Sequence, residues 1–361
     1  FRVNDGQAVL DALHNVRILM TAADATFLHA ETNVMSNDGM GATVVYNERQ
    51  VFYDVSLHLR GSERGRNESY RVGYTISFNP DDLFRGVHDS ISLDRQGWFT
   101  AGVGGNHDEI LYKHMLNHAG GLPGMYDDLV HVIAPRAQEN STALMVMASY
   151  GNEFLDSQYA NGGDGDLFKL ELIYYPTTTA DGTVQGLKVP YPRPDGVLGA
   201  DFQNLGDDQE SYRWNYLKEN NQAGDRWDQM MALAKMFDLA GADIDAPSQK
   251  LLDINEWCRA FAMESLFGNT DTYGFGLPHN FVVYFRPEDG KALAFPWDMD
   301  VSFNLPTSSP LLPNANVTKV FNLPANQRLF YSHLYNLPST TYNPAYMSRW
   351  VAHYAGLLKE N

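Results

Sequence analysis

The stretch 267-FGNTDTYGFGLPHNFVVYFRPEDGKALAFPWDMDVSF-303 decides how this chain is read. Phe281 to Arg286 (FVVYFR) is aromatic and β-branched, which predicts a strand. Pro287 to Gly290 (PEDG) carries an Asp-Gly turn signal, and Ala292 to Pro296 (ALAFP) reads as the return strand. An antiparallel hairpin comes back to the end from which it left. Asp271, His279 and Asn280 before it are therefore expected beside Asp298 and Asp300 after it. Carboxylates and an amide brought together are hard oxygen ligands, of the kind that suits Mg2+ or Ca2+. Asp and Asn also flank hairpins as caps and turn formers, so the pattern alone leaves a structural role open.

Working outward, Asp253 to Phe267 (DINEWCRAFAMESLF) is the longest clear helix. Asp253 caps it, with Glu256 three residues on as in a capping box, and it ends at Gly268. That end delivers Asn269-Thr270-Asp271 to a loop. Trp227 to Leu239 is a second helix, with Met230, Met231, Leu233, Ala234 and Phe237 inward as core. Beyond the hairpin, Asn304 to Ala325 is rich in Pro and Asn, and helical stretches follow at Arg328 to Tyr335 and Pro344 to Leu358.

The first half is rich in strands. Residues 1–20 read as a strand or a short helix, Val9 to Leu19 being apolar at helical spacing. Ala42 to Tyr46, Tyr53 to Leu59, Tyr70 to Phe78, Asp128 to Pro135 and Thr142 to Ala148 read as strands. Asp108 to Gly121 reads as an amphipathic helix with Ile110, Leu111, Met115 and Leu116 inward, stopped by Gly120-Gly121. A short helix is expected around Glu153 to Tyr159. Lys169 sits on a predicted strand between Phe168 and Leu170, a charge in apolar company, which makes it a candidate partner for a phosphate or carboxylate. The alternating Gly and Asp of Gly162 to Asp166 could suggest a Ca2+ loop, but the twelve-residue EF-hand pattern with its terminal Glu is absent. Pro176 to Asp201 is irregular enough to be an insertion or flap.

Composition narrows the function classes. With 361 residues, 44% hydrophobic and 19% charged, the chain can bury a real core as one bilobal domain or two lobes. A formal charge of −18 makes it a poor candidate for nucleic acid or an anionic membrane, and compatible with a basic protein partner or a saline surrounding. The single cysteine, Cys258, excludes an internal disulfide or a cysteine metal cluster. No apolar run is long enough to span a bilayer. The chain carries no signal peptide and begins inside what reads as structure, as a monomeric domain cut from a longer secreted protein would. Asn-x-Ser/Thr triplets at Asn67, Asn140 and Asn316 are weak pointers to secretion. No Ser-His-Asp order, HExxH or GxGxxG is evident, which argues against a hydrolase or a dinucleotide enzyme.

Asn269-Thr270-Asp271, His279-Asn280 and Pro296-Trp297-Asp298-Met299-Asp300 resemble the signature of the CotH kinase-like family, secreted atypical protein kinases. There N-x-D and H-N precede a hairpin and P-W-D-x-D follows it. The likeness runs from about Tyr53 to Arg349: Arg60-Gly61-Ser62 with Ser69-Tyr70-Arg71 resembles the family's R-G-x-S…S-Y-R/K, and the D-G-D-L-F-K ending at Lys169 resembles its G-x-L-Y/F-K. The resemblance implies an α+β, atypical protein-kinase-like bilobal fold, with a small β-rich lobe over residues 1–148 and a larger helical lobe over 149–361. It implies transfer of the ATP γ-phosphoryl group to protein Ser or Thr, with Mg2+, in an extracellular or cell-surface setting. Asp271 would accept or orient the proton of the substrate hydroxyl, Asn280 and Asp298 would hold the metal, and Asp300 would be a second metal ligand or a structural cap. Arg60, Arg64, Arg66, Arg71 and Lys169 are the candidate nucleotide-binding cations, and Glu109 or Lys113 would supply the ion pair that positions such a cation.

Three features depart from the family pattern. Asn67-Glu68 stands where many members carry a Lys pair, and Ala148-Ser149 where many carry Glu-Gln at the lobe connection. Asp271 and Asn280 are nine positions apart, the extra residues lying within Gly274 to Pro278, whereas a kinase catalytic loop spaces its Asp and Asn by about five. These departures keep a second reading open, a catalytically inactive surface-associated binding or structural module of the same fold. The acidic loops alone leave a third, a Ca2+-dependent adhesion module.

Overall fold

Seven strands of the first half close on themselves: β1 (His14–Leu19), β2 (Met40–Tyr46), β3 (Gln50–Arg60), β4 (Gly73–Ser77), β5 (Ser90–Asp94), β6 (Asp127–Ile133) and β7 (Ser141–Ala148). Their order is β1-β2-β3-β4-β5-β7-β6, and parallel pairing of β1 with β6, from His14↔Val130 to Arg17↔Ile133, seals the barrel. The computed structural model describes residues 5–8, 12–66, 69–95, 108–174 and 197–359. Asn67-Glu68, the side chain of Arg64 and most of the irregular stretch from Pro176 lie outside the described residues.

Where the sequence led us to expect a small β-rich lobe, the structure has a closed barrel. The closure removes both sheet edges. The helix alternative for the first 20 residues is corrected: His14–Leu19 is a strand, because Val16 and Ile18 enter the barrel core beside Val44 and Val132. On β3 the inward set is Phe52, Val55, Leu57 and Leu59. The change of parity between Phe52 and Val55 is a β-bulge, marked by the left-handed φ of 52° at Asp54 and the register shift opposite it. Strand β5, with its short SISLD sequence, was not predicted, and it brings Asp94 to the barrel rim.

Six further strands follow: β8 (Asp166–Leu170), β9 (Ile173–Tyr174), β10 (Val197–Leu198), β11 (Leu217–Lys218), β12 (Phe281–Phe285) and β13 (Ala292–Pro296). Four of them form one sheet in the order β11-β8-β12-β13. The β12–β13 hairpin pairs from Phe281↔Pro296 to Phe285↔Ala292 and is buried throughout. Burial on both faces explains its unbroken apolar sequence. Phe281, Val283, Phe285, Ala292 and Ala294 pack with Trp257 and Phe261 of the Ile254–Phe267 helix. Val282, Tyr284, Leu293 and Phe295 point the other way, into a core shared with Met145 and Met147 of β7. The hairpin thus joins the helical part of the chain to the barrel.

The Ile254–Phe267 helix starts as expected, Asp253 Oδ1 accepting from the Glu256 N–H at 3.2 Å. The reciprocal half of a capping box is not formed. Glu256 Oε2 instead accepts from the Ala294 N–H at 2.8 Å and docks the helix end on β13. Gly268 ends the helix in the left-handed region, φ 59°, and a Cβ there would stand 3.3 Å from Leu305 Cβ. Gly268→Ala is therefore expected to cost about 1 kcal/mol or more, read as a lower denaturation midpoint with an unchanged m-value.

The Asp108–His118 helix is shorter than expected and is not amphipathic in use: every residue from Glu109 to Leu116 is buried. Ile110 joins the core beside β7, Tyr112 packs on Phe267 with ring centroids 4.7 Å apart, and His114 packs on Trp350 of the Pro344–Lys359 helix at 3.7 Å. The Pro- and Asn-rich stretch after the hairpin contains a helix, Ala315–Phe321, that composition had hidden. Asn314 caps it by accepting from the N–H groups of Asn316 and Val317. Among the described residues no helix is long and apolar enough to cross a membrane.

Candidate functional site

The open end of the β12–β13 hairpin gathers the residues that the sequence pattern singled out. Asn280 immediately precedes β12, and Trp297-Asp298 immediately follows β13, whose Pro296 pairs with Phe281. Both ends turn sharply, with φ 53° at Asn280 and 57° at Asp298. Asn and Asp tolerate this left-handed conformation better than other side-chain-bearing residues, and such positions cluster at functional sites. Asp271 is held nearby by backbone bonds. The Thr270 N–H donates to the Val301 carbonyl at 3.3 Å, the Phe303 N–H to the Phe267 carbonyl at 2.6 Å, and the Asp271 N–H to Asn269 Oδ1 at 2.7 Å.

The extra residues between Asp271 and Asn280 do not separate them. Asn280 Nδ2 donates to the Asp271 carbonyl at 2.7 Å, which fixes the amide and leaves Oδ1 for a cation. The insertion is taken up by a turn, the Phe275 N–H donating to the Thr272 carbonyl at 3.0 Å, with Leu277 exposed. His279 Nδ1 meets the Leu277 carbonyl at 2.6 Å and Nε2 meets Asp271 Oδ1 at 3.3 Å. Both neighbours are acceptors, so the ring is satisfied only as the imidazolium. Burial pulls the His279 pKa down, but the Asp271 contact and the Leu277 carbonyl outweigh it and hold it above the ordinary value. The Asp271 side chain is 43% exposed.

Two cations face this end of the hairpin. Arg60, at the end of β3, donates through Nε to Asp94 Oδ2 at 3.0 Å and through Nη1 to Ser92 Oγ at 3.2 Å. Lys169, on β8 beside Val282, pairs with Glu171 Oε1 at 2.5 Å. Trp297 lies under both, its ring centroid 5.2 Å from the Arg60 guanidinium carbon and 4.2 Å from Lys169 Nζ. Tyr150, just past the barrel, donates to the Pro296 carbonyl at 3.1 Å and ties the crossing from β7 to the same spot.

Carboxylates outnumber these cations. Burial pushes the Asp298 carboxyl up to about 7, Asp94, Glu109 and Glu171 push the same way, and Arg60 opposes them. Asp300 is pushed well above the carboxylate range by burial, by Asp298, and by Glu109, Asp94 and Asp271. An added divalent cation would relieve this repulsion. Among the described residues no three His, Cys, Asp or Glu side chains form a ready metal cage. Two aspartates and an amide oxygen instead suit Mg2+, which keeps several waters and takes one or two carboxylates together with substrate phosphates.

A pH dependence follows. Asp298 binds its proton more tightly folded (about 7) than unfolded (3.8), so without metal its contribution to stability falls as pH rises from about 4 to 7. Melting temperature measured across that range is expected to fall less steeply when Mg2+ is present, and identical slopes would contradict this.

Other expected residues are engaged elsewhere. Glu109 pairs with Lys113 of its own helix at 2.9 Å rather than with Arg60 or Lys169, because burial of the whole helix places the two charges side by side. It remains close enough to act on Asp298 and Asp300. Arg66 donates to the Gly61 and Ser36 carbonyls and to Asn37 Oδ1, and Arg71 donates to the Ala143 carbonyl at 2.8 Å and also feels the charge of Asp94. Arg64 belongs to the short helix Glu63–Arg66. In the Gly162 to Asp166 stretch, the Gly163 and Gly165 carbonyls accept from Asn221, and Asp166 accepts from Lys218 and Arg226. Its oxygens close a hydrogen-bonded clasp.

Asp94, Glu171, His279 and Trp297 were given no role by sequence reasoning. A sequence signal existed for two of them: His279 and Trp297 stand inside the H-N and P-W-D motifs. Asp94 and Glu171 reach the site only through the tertiary fold.

The profile of the CotH kinase protein family matches residues 145–361, more than half of the chain and the part that contains the hairpin, Lys169, Asp271, Asn280, Asp298 and Asp300. No curated protein matches the chain.

Proposed function

Since the chain belongs to the CotH kinase protein family, we propose that it transfers the γ-phosphoryl group of ATP to a serine or threonine hydroxyl of a protein. The observation that carries this reading is the meeting of Arg60, Lys169, Asn280, Asp298 and Asp271 at one end of the hairpin, drawn from both the barrel and the sheet. In this reading the barrel takes the place of the small lobe and the nucleotide binds between barrel and sheet.

Arg60 and Lys169 draw the triphosphate by charge. Asp298, Asp300 and the Oδ1 of Asn280 would hold Mg2+. The metal, when bound, neutralises the charge that develops on the phosphate oxygens. Asp271, accessible and fixed by Asn269 and Asn280, orients the substrate hydroxyl and takes its proton as the oxygen attacks. The imidazolium of His279 holds the Asp271 carboxylate in place. The Glu109–Lys113 pair is neutral overall within the buried helix, and the Glu109 carboxylate still acts on Asp298. The surplus of carboxylates here and the charge of −18 favour a basic substrate segment. We place the reaction outside the cytoplasm, at a cell surface.

Incubation with γ-labelled ATP and basic Ser/Thr peptides tests this. Label on the peptide, lost with EDTA, supports it. A second reading is favoured by the pairing of Arg60 with Asp94 and Lys169 with Glu171, which already neutralises both cations: an inactive surface-associated binding module. It predicts no transfer to any peptide.

A further inference from the structure

The indole of Trp297 lies where the barrel and the sheet meet. Pro296 ends β13, Asp298 leaves in the left-handed conformation, and Trp297 between them is 9% exposed. Arg60 reaches it from the barrel and Lys169 from β8, at 5.2 and 4.2 Å from the ring centroid. Both distances fall within the range in which the negative face of an indole attracts a cation, and Trp is the strongest of the aromatic side chains in this respect. Two positive groups converging on one spot repel each other. The pairs Arg60–Asp94 and Lys169–Glu171 offset part of that repulsion, and the electron-rich ring offsets more of it.

The ammonium of Lys169 has three N–H donors, of which the contact to Glu171 uses one. Trp297 therefore leaves hydrogen-bonding capacity on the cation while fixing its position. A carboxylate in the same place would consume a donor and add a negative charge where the triphosphate is to lie.

We infer that Trp297 is a positioning residue, whose ring holds Arg60 and Lys169 together as a binding site for the polyphosphate end of a nucleoside triphosphate. The inference rests on the kinase reading above and assigns the indole a role in substrate affinity rather than in proton transfer. It acts only through the two cations.

The test is calorimetric titration of Mg·ATP, and separately of magnesium tripolyphosphate, into the parent chain, Trp297→Phe, Trp297→Leu, Arg60→Ala and the Trp297→Leu/Arg60→Ala double variant. Each variant's melting temperature is recorded. Trp297→Leu is expected to weaken both ligands roughly 3- to 30-fold, and Trp297→Phe to fall between it and the parent. The double variant is expected to lose less than the product of the two single losses, because the ring acts through Arg60. Equal losses for tripolyphosphate and ATP place the effect at the phosphates.

Parent-like affinity in Trp297→Leu, or single losses that simply multiply in the double variant, would overturn the inference and leave the kinase reading intact. If Trp297→Leu does not fold, Trp297→Phe decides: affinity equal to the parent's overturns the inference, and a graded loss supports it. A parent chain that binds neither ligand removes both the inference and the reading on which it rests.

Discussion

Asp298→Asn is expected to lower phosphoryl transfer by about 10³-fold or more, the several kcal/mol that a metal ion contributes to a transition state. The amide keeps the size of the side chain and lacks the charge that binds Mg2+. The fold should survive the change. Asp298 stands at a partly buried turn where burial and neighbouring carboxylates already disfavour its ionised form, with a pKa pushed up to about 7. Without metal the variant should therefore be at least as stable as the parent at pH 8, since it removes a charge that the folded state resists. Stabilisation by added Mg2+ should disappear with the charge. If Asp298 were only a turn former, the substitution would instead cost about 1–2 kcal/mol of stability, as loss of a cap does, and leave Mg·ATP affinity unchanged. Melting curves and Mg·ATP titrations on the same two proteins distinguish these outcomes.

Asp271→Asn should separate catalysis from binding. Turnover is expected to fall about 10²- to 10⁴-fold, the usual contribution of a general base. Mg·ATP affinity should stay within about threefold, because the role of this carboxylate is toward the substrate hydroxyl. Its exposure and its distance of 3.3 Å from the His279 ring fit a group that waits for a substrate. The Asn280 amide bonds the Asp271 backbone carbonyl and not its carboxylate, so the loop should keep its shape in the variant. Single-turnover measurements that showed unchanged chemistry in Asp271→Asn would remove the residue from the catalytic role and leave the metal site untouched.

Much of the site's frame was legible because its signals are local. The FVVYFR and ALAFP runs form the expected hairpin, with the first strand one residue shorter, and Asp253 caps the helix that delivers Asp271. Local signals failed where distant parts of the chain meet. The pairing of His14 with Val130 that closes the barrel carries no mark in either strand, since parallel pairing of remote segments depends on the whole topology. For the same reason the helix from Asp108 read as amphipathic. Two of its polar residues, Glu109 and Lys113, pair with each other inside the core, and a one-dimensional pattern cannot distinguish a solvated pair from a buried one. The four residues beyond Asp271 that break the kinase spacing looked like an obstacle in sequence. In three dimensions Gly274 and Phe275 fold inward, Gly276 and Leu277 face solvent, and the Asn280 amide holds the two ends together.

The cations illustrate the same divide. Arg60, Arg66 and Arg71 are equivalent in sequence, each beside a strand end in a basic stretch. Their environments differ: Arg66 and Arg71 donate to carbonyl groups and burial pushes both down to about 10, Asp94 opposing it only partly at Arg71, whereas Asp94, Asp298 and Glu109 together hold the Arg60 pKa up against burial. Only the fold shows which arginine stands among the carboxylates.

The measurement that bears most directly on a phosphoryl-transfer site at the hairpin end is calorimetric titration of ATP into the parent chain, in Mg2+ and in EDTA. Binding in Mg2+ that is weakened at least tenfold in EDTA, and equally weakened by Asp298→Asn in Mg2+, is the predicted result. Absence of ATP binding in Mg2+, or binding indifferent to both EDTA and Asp298→Asn, would contradict it.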